Sequence, residues 1–345
     1  WIDLAHWTVF TIILASVFRS VASWKTILNF NLLIGSIMGL LGLAQINGIR
    51  VLDYLMPSLR VDITLGNATF VGAYMLVNIF IALALLCNSY ESQNPRENRP
   101  KRNTRQKSNK LEDRADISGA TKFAGTEIPK LLLWRLFWFA VVILDFVMLL
   151  RSGTRGAVIG LAFGVLAFAF VYLLWGRIRF LKHGSLGFIL LVAIVLIGSI
   201  AMRDTQLFKG MTESNVMLSR LANIGPNDPN TMGRIYAARI GVNGFADRPL
   251  LGWGPENYTI AYDEHISPEV SAKSFESFDQ AHNKIIEELV TKGIFGLGSY
   301  ILLWSCMAWV ILRKFRTDRH NEQIFTLLIG SALVSYFVQN LFLFD

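Results

Sequence analysis

Charge is scarce in this sequence: only 17% of its 345 residues are Asp, Glu, Lys or Arg, where soluble globular domains carry about 25%. Hydrophobic residues make up 53% and mean hydropathy is +0.43, so an ordinary soluble globule is excluded. Cysteine is scarcer still. Cys87 and Cys306 are the only two, both inside apolar stretches, which leaves no disulfide framework and no thiolate metal site. There is no P-loop, no His-Glu-x-x-His and no Asp-x-Asp pair to hold a divalent metal under a nucleotide diphosphate. Those absences disfavour nucleotide hydrolysis and metal-held sugar nucleotides. No internal repeat of fixed period and no signal-peptide pattern is visible.

Long apolar runs are what the chain does have. Eight stand out, at roughly 4–18, 26–46, 68–88, 131–150, 156–175, 185–202, 284–312 and 323–344, each too long for a strand and most near the ~20 residues of a membrane-spanning helix. The fold class expected is all-α, a polytopic transmembrane bundle of about eight spans with one large folded outer loop. Lys and Arg gather in every second connection: Arg19 and Lys25; the stretch 89–130; Arg177, Arg179 and Lys182; Arg313, Lys314, Arg316 and Arg319. The positive-inside rule places those connections in the cytoplasm. The expected organisation is therefore spans in 1–88, a disordered basic cytoplasmic linker at 89–130, spans in 131–202, a catalytic outer loop at 203–283 and spans in 284–345. The chain begins at Trp1 and stops at Asp345 directly after an apolar run, so both ends read as cuts from a longer protein.

The linker has too few apolar residues to offset the entropy of ordering. Its basic residues lack the aromatic platform of a nucleic-acid site, so the expected partner is the lipid bilayer and not nucleic acid. Gly35 and Gly39, and Gly156, Gly160 and Gly164, recur every four residues, a spacing that lets helices approach closely in lipid.

The outer loop contains turns and aromatics and reads as folded. Thr231 can cap a helix running to about Asp247, with Ile235, Ala238, Val242 and Phe245 on one buried or interfacial face. Pro249 ends it, and Gly-Trp-Gly-Pro at 252–255 is a tight turn. A second helix is expected to begin at Asp279, putting His282 in its first turn. There the helix N-terminus disfavours imidazolium, so His282 stays neutral and able to accept a proton, while Asp279 orients its other nitrogen. As a bland alternative, His282 is a capping or interface histidine. His6, His183, His265 and His320 carry no comparable signal.

Arg151, Arg155, Arg234 and Arg239 face outward, where the positive-inside rule prefers none. Arg151 and Arg155 are four apart and share a helix face if the fifth span reaches back over Arg-Ser-Gly-Thr-Arg. Either they snorkel to lipid phosphate, with Arg151 pairing Asp145 in the fourth span, or they clamp an anionic substrate through bidentate guanidinium forks.

Four pieces of the chain, taken in order, resemble the O-antigen ligase and O-antigen polymerase family of bacterial membrane proteins: LGNATFVGAYM at 65–75, SGTRGAVIG at 152–160, GRIYAARIGVNGFADRPLLGWGPENY at 233–258 and HNKIIEELVTKGIFGL at 282–297. Family members usually have more than eight spans. The resemblance implies a fold similar to C-type glycosyltransferases. It also implies transfer of a glycan from an undecaprenyl-diphosphate-linked oligosaccharide donor to a hydroxyl of a glycolipid or lipid-linked glycan acceptor, at the outer leaflet of the bacterial inner membrane, with no cofactor, metal or nucleotide. It assigns donor diphosphate binding to Arg155 and Arg234 and acceptor activation to His282. Thr154 departs from the Ser commoner before the arginine. Arg151, Arg239 and Asp279 are supporting candidates by proximity in the sequence. The alternative function is a polytopic transporter, for example of an anion such as bicarbonate, which would need inverted repeats or broken helices around a midplane site.

Overall fold

A backbone inside a bilayer must satisfy its own hydrogen bonds, so apolar runs of this length become helices. The computed structural model describes residues 2–49, 51, 60–91, 117–202, 205–206, 210, 229–268, 278–317 and 320–342, and among them there is no strand. The helices are α1 (Ile2–Val17), α2 (Val21–Ile46), α3 (Ala68–Glu91), α4 (Ile117–Arg151), α5 (Arg155–Trp175), α6 (Arg179–Met202), α7 (Pro229–Asp247), α8 (Tyr258–His265), α9 (Lys284–Thr317) and α10 (His320–Asn340). Each expected span coincides with one of them. Six, namely α2, α3, α4, α5, α9 and α10, are long and apolar enough to cross a membrane. Leu133, Ile194, Ile197 and Leu302 are more than 60% exposed, the apolar outer surface that a bilayer covers.

The segment expected as a linker at 89–130 is entered by helix at both ends. Helix α3 continues to Glu91 and α4 already begins at Ile117; the rest of the linker lies outside the described residues.

Helix α3 packs against α4 and α10, and α10 packs against α5. Val71, Met75, Leu76, Phe80, Met148, Leu149, Ala157 and Leu328 fill the space between them. The glycine spacing serves the approach that it predicts. A Cβ at Gly160 would lie 2.6 Å from the carbonyl oxygen of Ser335, and one at Gly164 would lie 2.8 Å from that of Ser331, so α5 and α10 meet nearly backbone to backbone.

Two interruptions shape the end of the bundle that carries α7 and α8. The first is Ser152-Gly153-Thr154, between α4 and α5, where Gly153 has φ +61°. The second is Gly293 inside α9, at φ 67° and ψ −167°. A helix broken at Gly293 cannot pair its own amides and carbonyls there, and the turn after α7 does so instead. Trp253 N donates to Val290 O at 3.0 Å, Gly254 N to Thr291 O at 2.8 Å, and Ile294 N to Pro249 O at 2.8 Å. Both faces of this joint require glycine: a Cβ at Gly252, itself at φ +68°, would stand 2.5 Å from Lys292 N, and one at Gly293 would collide with Leu250 O.

The loop has a small core of its own. Trp253, Tyr258 and Tyr262 pack with Ala237, Ile240, Ala261 and Val290. Trp253 Nε1 donates to Gly244 O at 2.7 Å and Tyr258 OH to Ala237 O. The buried face of α7 is consequently Ala237, Ile240, Gly241 and Gly244, whereas Ile235 is 49% and Val242 46% exposed. The face expected from Ile235, Ala238, Val242 and Phe245 is thus only partly covered. Small residues won because the tyrosines sit so close: a Cβ at Gly241 would be 2.9 Å from Tyr258.

Candidate active site

At the loop end of the bundle, α5, α7 and α9 bring their N-terminal parts to one cavity of about 430 Å³, closed on one side by the turn after α10. Arg155, Arg234 and His282 all line it. Helix N-termini carry partial positive charge, so the helices and the guanidiniums act with the same sign. Among the described residues no carboxylate lines the cavity.

The interruption at 152–154 sets Arg155 in place. Carbonyls left over at the end of α4 are taken by the segment before α3: Val61 N donates to Arg151 O at 3.2 Å and Arg60 Nε to Ser152 O at 2.9 Å. Thr154, the N-cap of α5, donates its hydroxyl to Ala68 O at 3.1 Å and makes no side-chain cap to α5. The positive end of α5 is thereby presented to the cavity with Arg155 as its first residue. Because α4 stops at Arg151, Arg151 and Arg155 do not share a helix face, contrary to expectation; Arg151 is exposed and outside the cavity lining. Nor does Arg151 pair with Asp145, whose carboxyl is fully buried in α4 with no hydrogen-bond partner for either oxygen.

Arg234 lies in the second turn of α7 and donates from Nη1 to Phe342 O. Asn283 Nδ2 donates to the neighbouring Leu341 O at 3.1 Å. The end of α10 thus holds α7 and α9 together at the cavity. Arg239, the other arginine of α7, is exposed and does not line the cavity.

His282 stands just ahead of α9, not in its first turn. Asn283 is the cap, its Oδ1 accepting from Ile285 N at 3.0 Å and Ile286 N at 3.2 Å, while Glu287 Oε2 reaches back to accept from Ala281 N at 2.8 Å. His282 takes φ +52°, a left-handed conformation uncommon for a residue with a Cβ; such residues cluster at functional sites. Burial and the positive charge of Arg234 hold its pKa below the usual histidine value, opposed by Asp279. A neutral imidazole is therefore favoured, through burial first and a neighbouring guanidinium second. Asp279 is exposed, outside the lining, and acts on His282 through its charge.

Arg60, Thr69 and Asn283 also line the cavity and were not singled out from sequence. Arg60 is a basic residue in an outward connection, the same signal that marked the other four arginines.

Residues 140–301 match the family model described as O-antigen ligase. Over that segment the chain is similar to the O-antigen ligase family. The segment contains Arg155, Arg234 and His282. An uncharacterized protein of Haemophilus influenzae is 25% identical over 214 residues, which cover 60% of this chain and 52% of that relative; the chain spans about half the length of the curated relative it matches. The matched segment runs through both helix interruptions and into α9.

Proposed function

We propose that the cavity transfers a glycan from a polyprenyl diphosphate, undecaprenyl diphosphate in bacteria, to the hydroxyl of a glycolipid or lipid-linked glycan acceptor. The observation that carries this is the convergence of Arg155, Arg234 and His282, from three helices, on one cavity. In the reaction the bond between the anomeric carbon and the diphosphate oxygen breaks as the acceptor oxygen bonds to that carbon, and the acceptor proton leaves to a base. Negative charge grows on the departing diphosphate. Arg155 and Arg234, joined by Arg60 and the N-terminus of α5, are the groups to stabilise it, since charge-assisted donors preorganised toward a developing anion lower the barrier. His282, held neutral, is the base, and attack from the face opposite the diphosphate inverts the anomeric centre. The residues suffice for this without a metal. In this reading the loop end of the bundle faces outward from the bacterial inner membrane, as the distribution of Lys and Arg favours.

The test is transfer by the purified full chain, reconstituted with undecaprenyl-diphosphate-linked oligosaccharide and a glycolipid acceptor in the presence of EDTA. Glycosylated acceptor with inverted linkage is expected. Product formed only after a divalent metal is restored, or no product with any lipid-linked acceptor, would remove the reading.

A further inference from the structure

Helix α9 is held to the bundle at its two ends and lies open in between. Near its start it carries the joint to the turn 249–254. Near its end Phe315 is buried against Tyr172 and Leu327, and Gln323 Nε2 donates to Phe315 O at 2.9 Å. From Ile294 to Lys314 no residue of α9 is buried, and a groove of about 470 Å³ runs between α5, α9 and α10. Ala167, Ala308 and Gly330 keep its walls low. Ser331, also in the lining, donates its hydroxyl to Leu327 O at 2.8 Å, so the groove offers chiefly carbon. At the end nearer the catalytic loop, the rings of Trp304 and Phe337 meet at 4.9 Å. From Ile301 to Leu312 the groove follows α9 for about 16 Å at the rise of an α-helix, about the depth of one leaflet of the hydrocarbon core.

The other end of the groove is basic. One turn beyond the lining residues Val171 and Leu312, Trp175 and Arg316 meet across the two helices, the guanidinium 5.0 Å from the ring centroid, and Arg313 lies 5.2 Å from the ring of Trp309. Residues 175–183 and 313–323 hold seven Lys or Arg against two acids, Asp318 and Glu322. Tryptophan beside cations suits the membrane–water interface, and guanidinium forks match phosphate oxygens.

We propose that the α5–α9–α10 groove and its basic end together bind an anionic diacyl phospholipid of the leaflet away from the cavity, with one acyl chain along α9 and the phosphate at Arg313 and Arg316. The gap lies within the bundle at membrane depth, and left empty it would forfeit the contacts of both walls, so a lipid tail fills it. Tails alone do not distinguish one lipid from another. The basic end does, because each Lys or Arg at the surface favours an anionic headgroup. With the lipid in place, α9 is braced against α5 along a whole leaflet instead of at Phe315 alone. The proposal does not depend on the chemistry in the cavity.

The test uses the full chain in phosphatidylcholine vesicles containing a trace of phosphatidylglycerol with a diazirine midway along one acyl chain. Photolysis is expected to label the segments 167–171, 301–312 and 327–337 above the rest of the bundle. Unlabelled phosphatidylglycerol added to the bilayer should displace that labelling, and phosphatidylethanolamine at the same content should not. Even labelling, no labelling of these segments because a second copy of the chain fills the groove, or equal displacement by both lipids overturns the proposal. Arg313→Gln and Arg316→Gln should each raise the phosphatidylglycerol content needed for half displacement about fivefold, while Lys130→Gln, at the same end of the bundle on α4, should leave it within about twofold. Because Arg316 also touches Trp175, a further variant keeps the basic end intact: Ala308→Trp fills the groove from an exposed position of α9 and should remove the labelling. Unchanged labelling in Ala308→Trp, or unchanged half displacement in both glutamine variants, overturns the proposal.

Discussion

The two helix interruptions, 152–154 and Gly293, lie near the same end of the bundle and solve the same problem differently. At the first, the carbonyls of α4 are taken by Arg60 and Val61, and what emerges is the start of α5 with Arg155 in the cavity. At the second, the backbone groups of α9 are taken by the turn 249–254, and what results is an attachment for the loop that carries Arg234. One break delivers a charge; the other fixes the platform from which a second charge is delivered. A continuous helix at either place would have kept its hydrogen bonds to itself, so each interruption frees the backbone that joins distant segments.

Substitutions can separate these roles. The largest effect is expected just before α9: His282→Ala should lower transfer by about 10²–10⁴-fold, and His282→Gln should fail too, because it keeps a hydrogen-bonding side chain but cannot take the proton. A Gln variant near the wild-type rate would make His282 a positioner. Next, Arg155→Lys and Arg234→Lys should each reduce turnover about 10–100-fold through loss of the bidentate fork, with the thermal midpoint unchanged, while Arg151→Lys and Arg239→Lys, outside the cavity, should stay within about twofold. Equal losses in all four would erase the distinction between lining and exposed arginines.

Gly293→Ala should act on the platform. A Cβ at positive φ against Leu250 O should cost about 1–3 kcal/mol of stability, read as a lower unfolding midpoint in detergent and faster proteolysis between α7 and α9. If Gly293→Ala lowers turnover at an unchanged midpoint and cleavage rate, the two breaks do not differ as described. The smallest effect concerns pH. Neutral His282 is the active form, so the rate should fall as pH drops through its pKa, which lies below the usual histidine value. Asp279 raises that pKa; Asp279→Asn should therefore move the fall to still lower pH. A shift to higher pH would contradict the electrostatics.

The spans were legible because runs near 20 apolar residues leave little choice but a membrane helix. The beginning of α4 was not, since Ile117 to Lys130 is too polar to signal a span although its backbone continues one. Arg155, Arg234 and His282 were singled out in the sequence, and they share a cavity. Their surroundings were harder to read. Reading a helix through Ser152-Gly153-Thr154 ignored what a glycine at positive φ does to a turn, and so paired Arg151 with Arg155. Asp279 is a good N-cap by type, but Asn283 holds that post with help from Glu287, moving His282 outside the helix. Arg60 belongs to the site through contacts with Ser152, a partner that no local pattern announces.

The joint between the turn 249–254 and α9 is made of main-chain atoms. Side chains at the exposed Leu250 and Leu251 can be exchanged without removing a single one of its hydrogen bonds, so mutational drift there should pass through the joint quietly. Changes that alter backbone angles, at Gly252, Gly254 or Gly293, reach it. The loop's side chains can therefore vary while its seat on the bundle stays the same.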